Sequence, residues 1–345
     1  MNDESKKREK LKFTEIEKLS QPIEHVDKYL ITGEIGFSRY RMDKILKEYA
    51  NFPLDKKIHA LFEHGIQLTD YCHDFFRAHE YEPSIVPSQY RVEVLKKQKN
   101  YNGSYAIGPY IHYSKSLLNS DKLDEEKERL GKTLLVFPSH SIEGLVSSFD
   151  YEKFCEEIEK YSSDFDSVRI CMYYKDINLK RFKPYQKKGF EIVTAGHFND
   201  YNFIPRLKSI IETSDMTMSN EIGTHLGYCI YLNKPHFLFN SHETIYKEEK
   251  NAEDAELMVK HSNISQKKKI NNENIKNIRK YFSEFETKIT NNQYELIKYL
   301  WGFDEIKTPK ELNNIFHEIN NNHSQIKYYL SGLIRLKDIL LKNGR

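Results

Sequence analysis

The fold of this chain is decided by residues 214–239, which read SDMTMSNEIGTHLGYCIYLNKPHFLF. The pattern predicts a short strand at Met216–Ser219, a polar turn, a helix over about 225–232 and a second strand at His236–Phe239. A strand, a helix and a second strand in this order form one unit of a parallel α/β sheet. The sequence therefore places a polar turn at the carboxyl end of a parallel strand, where α/β proteins bind ligands.

The polar turn has the composition of an anion-binding helix start. Gly223 and Thr224 leave backbone N–H groups free at a helix N-terminus, where the helix dipole favours negative charge. Asn220 and Glu221 are long enough to reach sugar or ribose hydroxyls, and His225 follows in the first helical turn. We expect these residues to bind a nucleotide-linked donor. The alternative is a helix N-terminus capped by Asn220 or Thr224, without a ligand.

The length of 345 residues predicts more than one lobe. Alternating strand and helix signals favour an α/β fold with two Rossmann-like lobes that face a cleft, followed by a helical C-terminal region. We expect a charged leader over 1–20, an N-terminal acceptor lobe over 21–130, a C-terminal donor lobe over 131–245 and a helical region over 246–345. The predicted strands before residue 214 are Val26–Gly33, Lys57–Phe62, Ser84–Pro87, Tyr105–Gly108, Thr133–Phe137, Val168–Tyr174 and Phe190–Thr194.

Composition excludes several classes of function. A net charge of +2 gives no reason to expect a nucleic-acid partner. The four cysteines are far apart and form no C-x-x-C pair, which predicts reduced thiols and no zinc site. Residues 1–12 lack the apolar core of a signal peptide, and no apolar run approaches the ~20 residues that span a bilayer. We expect a cytoplasmic protein with at most peripheral contact with the inner membrane surface.

His64 is the candidate catalytic base. It follows a predicted strand and precedes Gly65, which places it at the rim of the cleft. A histidine with a pKa of about 6.5 can take the proton of an acceptor hydroxyl. Glu63 is the neighbouring candidate, although successive side chains of a strand point to opposite faces. The alternative for His64 is a structural imidazole that is hydrogen-bonded to a backbone carbonyl.

Other candidate donor-binding residues follow the strands of the second lobe. Ser139, His140 and Ser141 come after the buried strand Thr133–Phe137 and are placed to meet a phosphate or a ribose. Lys175 could neutralise a diphosphate as a point charge. His197 could flank the nucleotide base. The alternatives are a polar loop in which Ser141 caps a helix, and a solvated loop around Lys175.

Arg39 and Arg41 are weaker candidates for contact with an anionic acceptor from the first lobe. The sequence Asp164-Phe-Asp166 imitates a D-x-D metal motif, but it precedes its strand, at the opposite end of the sheet from the cleft. We therefore expect no metal ion and no cofactor. The charge of the donor would be met by the helix dipole and by cationic side chains.

Several motifs resemble known families. Phe62-Glu-His-Gly65, Ile85-Val-Pro-Ser88 and Tyr105-Ala-Ile-Gly-Pro-Tyr110 are similar to the N-terminal lobe of CDP-glycerol glycerophosphotransferases. Four later segments resemble the C-terminal lobe of that family: Leu134-Leu-Val-Phe-Pro-Ser-His140, Thr213-Ser-Asp215, Ser219-Asn-Glu-Ile-Gly-Thr224 and Lys234-Pro235. UDP-N-acetylglucosamine 2-epimerases share the last strand–turn–helix layout. The resemblance covers residues 25–240.

The resemblance implies a GT-B glycosyltransferase with the donor in the second lobe, the acceptor in the first and His64 as base. Its donor would be a nucleotide-activated sugar, and its acceptor a glycan or lipid-linked molecule of a bacterial capsule, O-antigen or teichoic acid. The alternatives are a polyol-phosphate transferase, a sugar-nucleotide 2-epimerase and a non-catalytic sugar-nucleotide or partner-binding protein. A Lys run at 266–269 and a final amphipathic helix would allow contact with an anionic membrane, or would pack on the protein itself.

Overall fold

The computed structural model describes residues 3–23, 39–72, 82–97, 103–142, 145–239, 245–248 and 272–322. The strands are β1 (Leu61–Phe62), β2 (Ser84–Val86), β3 (Ser104–Ala106), β4 (Thr133–Phe137), β5 (Leu145–Ser148), β6 (Ser167–Cys171), β7 (Glu191–Val193), β8 (Met216–Ser219), β9 (His236–Leu238) and β10 (Ile245–Glu248). The helices are α1 (Asp3–Glu9), α2 (Ile16–Leu19), α3 (Met42–Tyr49), α4 (Gln89–Lys97), α5 (Ser120–Leu130), α6 (Tyr151–Ser162), α7 (Tyr174–Asn178), α8 (Lys183–Lys187), α9 (Phe203–Glu212), α10 (Thr224–Tyr231), α11 (Glu273–Phe282) and α12 (Asn291–Trp301). Residues 309–322 are also helical.

Two parallel sheets form the framework. The first has three strands in the order β1-β2-β3, and the second has five strands in the order β7-β6-β4-β8-β9. Strand β4 is central because it pairs with both β6 and β8. The predicted α/β class, with two parallel-sheet lobes and helices in the C-terminal region, is confirmed.

Strand β4 shows why its sequence forms a central strand. All five of its residues are buried. Leu134 and Val136 face one hydrophobic core, and Leu135 and Phe137 face another. The two-residue alternation of a strand therefore divides a continuous apolar run between the two faces of the sheet.

Most predicted strands are present, and several are shorter than expected, two of them by three residues or more. Of the predicted strand Lys57–Phe62, only Leu61–Phe62 pairs with a neighbouring strand, because the side chain of Asn320 hydrogen-bonds to the backbone that precedes them. The Asn320 side chain donates to the carbonyl of Lys57 and accepts from the N–H of His59. The predicted strand Val168–Tyr174 ends at Cys171, since helix α7 begins at Tyr174. The predicted strand Val26–Gly33 lies outside the described residues.

The sequence analysis missed an antiparallel ribbon. Strand β5 follows the loop after β4 and pairs with β10, with Ile245 opposite Ser148 and Glu248 opposite Leu145. Strand β5 has the short alternating burial pattern of a half-exposed strand. Strand β10 begins where the sequence turns polar, so its composition gave no strand signal.

Helix α12 connects the two parts of the molecule. The indole N–H of the buried Trp301 donates to the carbonyl of Thr224 at 3.2 Å. A Cβ atom on Gly227 would lie 2.2 Å from the same indole, so only glycine admits this contact. On the other side, Gly302 has φ +72° and lies so close to Pro87 that a Cβ atom would come within 2.1 Å of its carbonyl oxygen. The C-terminal helices therefore pack against both lobes. The Lys run at 266–269 and the final predicted helix lie outside the described residues.

Two expectations from composition can be compared with the structure. The four cysteines, all in the described ranges, are buried and form no disulfide bond, which agrees with the predicted reduced thiols. Within the described ranges, no helix combines the length and apolarity needed to cross a membrane.

Replacement of Trp301 by Ala should lower the free energy of unfolding by about 3–5 kcal/mol, because a fully buried indole leaves a cavity. The matched control is Tyr299→Ala on the same helix, where the side chain is 52% exposed and the change should stay within about 0.5 kcal/mol. Urea unfolding measures both. If both variants lowered the free energy of unfolding by the same small amount, α12 would not be what holds the two lobes together.

Candidate functional site

A cavity of about 390 Å³ lies between the two parallel sheets. The first lobe contributes His64 and Gly65, which follow β1. The second contributes residues that follow β4, β6 and β7, such as Pro138 and Tyr173. The cavity is therefore formed at the carboxyl ends of parallel strands, which is where the sequence predicted a ligand site.

The His64 loop touches the helix that carries the predicted donor turn. Gly65 has φ +79°, a conformation that favours glycine, and it turns the chain directly after His64. The next backbone N–H, of Ile66, donates to the Thr224 hydroxyl at 3.0 Å. His64 and the first residue of α10 thus lie on neighbouring walls of one cavity.

Glu63 does not face this cavity. Its carboxylate is 3% exposed and accepts hydrogen bonds from Arg91 Nε at 2.8 Å and Nη2 at 2.7 Å. Arg91 also donates to the carbonyl of Thr69. Burial raises the pKa of Glu63, and the charge of Arg91 opposes this shift. The predicted catalytic Glu63 is therefore corrected to a structural partner of Arg91, since His64 lines the cavity and Glu63 is not among the described lining residues.

The start of α10 is open toward the cavity. The helix begins at Thr224, and its N-cap Gly223 has extended backbone and no side-chain hydrogen bond that caps the helix. Thr224 and His225 both line the cavity. The first-turn N–H groups and the positive end of the dipole therefore face a space that a ligand can enter.

Asn220, Glu221 and Ser139 bind one another. The Ser139 N–H donates to Asn220 Oδ1 at 2.6 Å, and its hydroxyl donates to Glu221 Oε2 at 2.6 Å. None of the three is among the described residues that line the cavity. They join the loop after β4 to the turn after β8, and their contact with donor hydroxyls stays a prediction.

Ser141 and Lys175 also have protein partners. The buried Ser141 donates through its N–H and its hydroxyl to the two carboxylate oxygens of Asp176, at 2.8 and 2.7 Å. Arg181 pairs with the same carboxylate at 3.2 Å. Lys175 lies within α7 and donates to the carbonyl of Ile142 at 2.7 Å. Both residues therefore stabilise the loop after β4, and neither lines the cavity in the described part of the chain.

His140 and His225 line the cavity in a neutral form. Burial lowers the pKa of both, and for His225 it does so to about 3, with a smaller contribution from the charge of His140. The His225 ring stacks on Phe137 with centroids 4.7 Å apart. Its Nε2 atom is buried and has no hydrogen-bond partner among the residues that the structure describes. These imidazoles can therefore serve as hydrogen-bonding groups, and not as cations, at neutral pH.

His197 lies outside the cavity lining. It is 7% exposed, and its Nδ1 accepts from the N–H of Asn199 at 3.2 Å. Burial, with the nearby charge of Arg8, lowers the pKa of His197 to about 4. His197 therefore holds the loop after β7, and its contact with a nucleotide base stays a prediction.

A buried histidine that the sequence analysis missed lies beneath the donor turn. His236 is 1% exposed, and its two ring nitrogens are bonded to the hydroxyls of Thr217 and Ser219 at 2.8 and 2.9 Å. The Ser219 hydroxyl is also 2.9 Å from the carbonyl of Glu221. His236 therefore ties β9 to β8 directly below the turn.

The sequence analysis also missed the aromatic character of the cavity. The aromatic lining residues are Tyr40, Tyr110, Phe137, Tyr173, Tyr174, Phe198, Phe203 and Tyr228. The described lining contains no lysine, arginine, aspartate or glutamate. The adjacent tyrosines Tyr173 and Tyr174 could have indicated this aromatic lining. They follow β6 at the same strand end at which the sequence predicted Lys175 as a donor-binding residue.

The predicted acceptor arginines and the rejected metal motif lie elsewhere. The side chain of Arg39 is outside the described part. Arg41 is buried beside Asp43, with Nε 3.9 Å from Oδ1, and is not a lining residue. Asp166 accepts from the N–H of Lys132 at 2.7 Å, before β6 begins.

No protein-family model and no curated protein matches the sequence. A structure of the wall teichoic acid polymerase TagF is 16% identical, covers 80% of this chain and 71% of that chain, and has a TM-score of 0.41. The UDP-GlcNAc 2-epimerase of Methanocaldococcus jannaschii, in complex with UDP-GlcNAc and UDP, is 11% identical, with coverages of 89% and 87% and a TM-score of 0.40. The pneumococcal O-GlcNAc transferase GtfA is 12% identical, with coverages of 81% and 54% and a TM-score of 0.35.

The depressed pKa of His197 predicts a pH-dependent stability. The unfolded chain takes up a proton below about pH 6.5 and the folded chain only near pH 4. The free energy of unfolding should therefore fall as the pH drops through this window, by at most about 1.4 kcal/mol per pH unit from this residue. His197→Asn should flatten that slope and leave the slope above pH 7 unchanged. Urea unfolding at pH 5, 6, 7 and 8 tests this; parallel curves for the two proteins would contradict it.

Proposed function

We propose that this protein is a GT-B-type glycosyltransferase that uses a nucleotide-activated sugar to modify a bacterial surface polysaccharide or glycolipid. The observation that carries the proposal is the junction of His64 and α10. One cavity has a candidate base on one wall and an uncapped helix N-terminus on the next, joined by the bond from the Ile66 N–H to the Thr224 hydroxyl.

The start of α10 would hold the donor diphosphate. Backbone N–H groups at Thr224 and His225 and the helix dipole favour a dianionic group there. The unpartnered Nε2 of His225 supplies one further hydrogen-bonding atom in the same turn. The tyrosines after β6 offer flat apolar surfaces for the nucleoside. In this proposal backbone groups, and no metal ion or cofactor, meet the charge of the donor.

His64 would act on the acceptor. The acceptor oxygen forms its bond to the anomeric carbon as the bond from that carbon to the donor phosphate oxygen breaks. The acceptor proton passes to His64, and the nucleoside diphosphate leaves with the electron pair. Such a positioned base contributes about 10²–10⁴-fold to the rate. The buried pair of Glu63 and Arg91 would fix the end of β1 that precedes His64, without touching the substrate.

The same cavity would also serve a polyol-phosphate transferase, in which the acceptor oxygen attacks phosphorus. A 2-epimerase ranks lower, because the described lining offers no carboxylate for acid/base work on a sugar ring. The acceptor would be a glycan or a lipid-linked molecule. We place the protein in the cytoplasm, where nucleotide-activated donors are made, with peripheral contact with the inner membrane surface.

Thermal unfolding should reveal the donor class. At 100 times its Kd, a donor adds about 2.7 kcal/mol to the stability of the native state. Among UDP-, CDP-, CMP-, GDP- and ADP-linked compounds, including CDP-polyols, one nucleotide class should raise the melting temperature.

A matched pair of variants locates that donor. Gly223→Asp places a carboxylate at the N-cap of α10 and should abolish the shift by repelling the diphosphate. Gly223→Asn adds the same steric bulk against the His225 ring without the charge, so it should keep a larger part of the shift than Gly223→Asp. Equal shifts for the two variants would place the diphosphate elsewhere.

Replacement of His64 by Asn should lower turnover by about 10²–10⁴-fold and leave the donor-induced thermal shift intact, because His64 acts on the acceptor. The control is His197→Asn, which lies outside the cavity lining and should keep its turnover at pH 7. Unchanged turnover in His64→Asn would support a non-catalytic binding protein.

A further inference from the structure

The N-terminal part of the chain packs on the second lobe. We call residues 6–23 the N-terminal brace. Beyond β7, the outermost strand of the five-stranded sheet, the backbone N–H of Thr194 donates to the carbonyl of Phe13 at 3.1 Å. The side chains of Phe13, Ile16 and Leu19 are buried, and helix α2 packs against α7. The brace therefore covers one edge of the second lobe.

Arg8 holds the brace together. Its side chain is buried and donates to the carbonyls of Leu19 at 3.2 Å and Gln21 at 3.1 Å. The carbonyl of Arg8 in turn accepts from Nη2 of the buried Arg206, in α9, at 3.3 Å. One arginine of α1 thus joins the end of α2 to α9.

The brace holds the loop after β7, residues 195–200, along two paths. The Leu19 carbonyl that accepts from Arg8 also accepts from the backbone N–H of His197 at 2.9 Å. Arg206, which donates to the Arg8 carbonyl, pairs with Asp200 at 3.2 Å, and both of these side chains are fully buried. On each path a single residue therefore lies between Arg8 and the loop.

This loop forms one wall of the cavity. Phe198 follows His197 directly and lines the cavity, and its ring lies 5.7 Å from that of Tyr174. Tyr174 is one of the tyrosines after β6 that would meet the nucleoside. The carbonyl of Phe198 accepts from the Tyr40 N–H at 3.0 Å. The loop is therefore held at two adjacent residues, at one by the brace and at the next by the first lobe.

We propose that the N-terminal brace is part of the donor site, with Arg8 as a positioning residue that sets Phe198 against Tyr174 through the backbone of the loop after β7. The proposal rests on the proposed function for the nucleoside that these rings meet, and on the contacts of the brace for the position of the loop. Arg8 is not among the described lining residues. It acts through the Leu19 carbonyl and the His197 N–H, which a change of the His197 side chain leaves in place.

Hydrogen–deuterium exchange of the ligand-free protein tests the hold of Arg8 on the loop. Arg8→Met keeps a long side chain and removes the hydrogen bonds to Leu19 and Gln21. The backbone amides of 196–200 should exchange about tenfold faster, because a hydrogen bond from a charged group is worth about this factor in a local opening equilibrium. The amides of β8 should not change. Lys7→Met, at an exposed position of the same helix, removes the same charge and should leave the loop unchanged.

Equal exchange of the loop in Arg8→Met and Lys7→Met would overturn the proposal. If Arg8→Met does not fold, Arg8→Lys decides, because an ammonium group lacks the planar fork with which the guanidinium group reaches two carbonyls. The loop of Arg8→Lys should still exchange faster than that of Lys7→Met, and equal rates would again overturn the proposal.

Donor affinity is the readout that a merely structural role would not move. Calorimetric titration uses the nucleotide class that gives the thermal shift, at a temperature at which every variant is folded. Arg8→Met should raise the Kd about tenfold, which corresponds to a competent loop position that is populated about a tenth of the time, and Lys7→Met should not change the Kd. Faster loop exchange with an unchanged Kd would leave the brace as a stabilising element only and would overturn the proposal.

The two measurements separate this inference from the proposed function. If the wild-type protein binds none of the nucleotides, the proposed function fails, and faster exchange in Arg8→Met still supports the hold of the brace on the cavity wall. If the wild-type protein binds a donor and Arg8→Met binds it equally well, the proposed function stands and this inference fails.

Discussion

The arrangement of the whole site depends on the two hydrogen bonds that Thr224 accepts. Its hydroxyl accepts from the N–H of Ile66 in the His64 loop, and its carbonyl accepts from the indole of Trp301. The first lobe, the second lobe and the C-terminal helices therefore meet at the first residue of one helix. These two hydrogen bonds to Thr224 set the position of His64 relative to the start of α10.

Most polar side chains around the cavity hold backbone in place. Glu63 pairs with Arg91 behind His64, and Ser139 joins the turn through Asn220 and Glu221. Removal of one partner from a buried ion pair such as Glu63 and Arg91 lowers the stability by about 3–5 kcal/mol, because the charge of the other partner stays buried. The groups left to face a ligand are backbone N–H groups, neutral imidazoles and aromatic rings.

The sequence predicted the α/β class, the central strand Thr133–Phe137 and the cleft at the strand ends, because local periodicity and turn residues decide these features. It placed His64, His140, Thr224 and His225 at the cavity, but it did not predict which other polar residues of the strand ends would turn away from it. Ser139, Ser141 and Asn220 have the residue types of a ligand site, but they find partners in loops that are distant in sequence. Side-chain pairing across loops has no periodic signal.

The most direct test of the account is a structure of the protein with the nucleoside diphosphate that gives the largest thermal shift. The account predicts phosphate oxygens within hydrogen-bonding distance of the Thr224 and His225 backbone N–H groups, with the nucleoside against the tyrosines after β6. A diphosphate bound away from the start of α10, with this turn unoccupied, would contradict it.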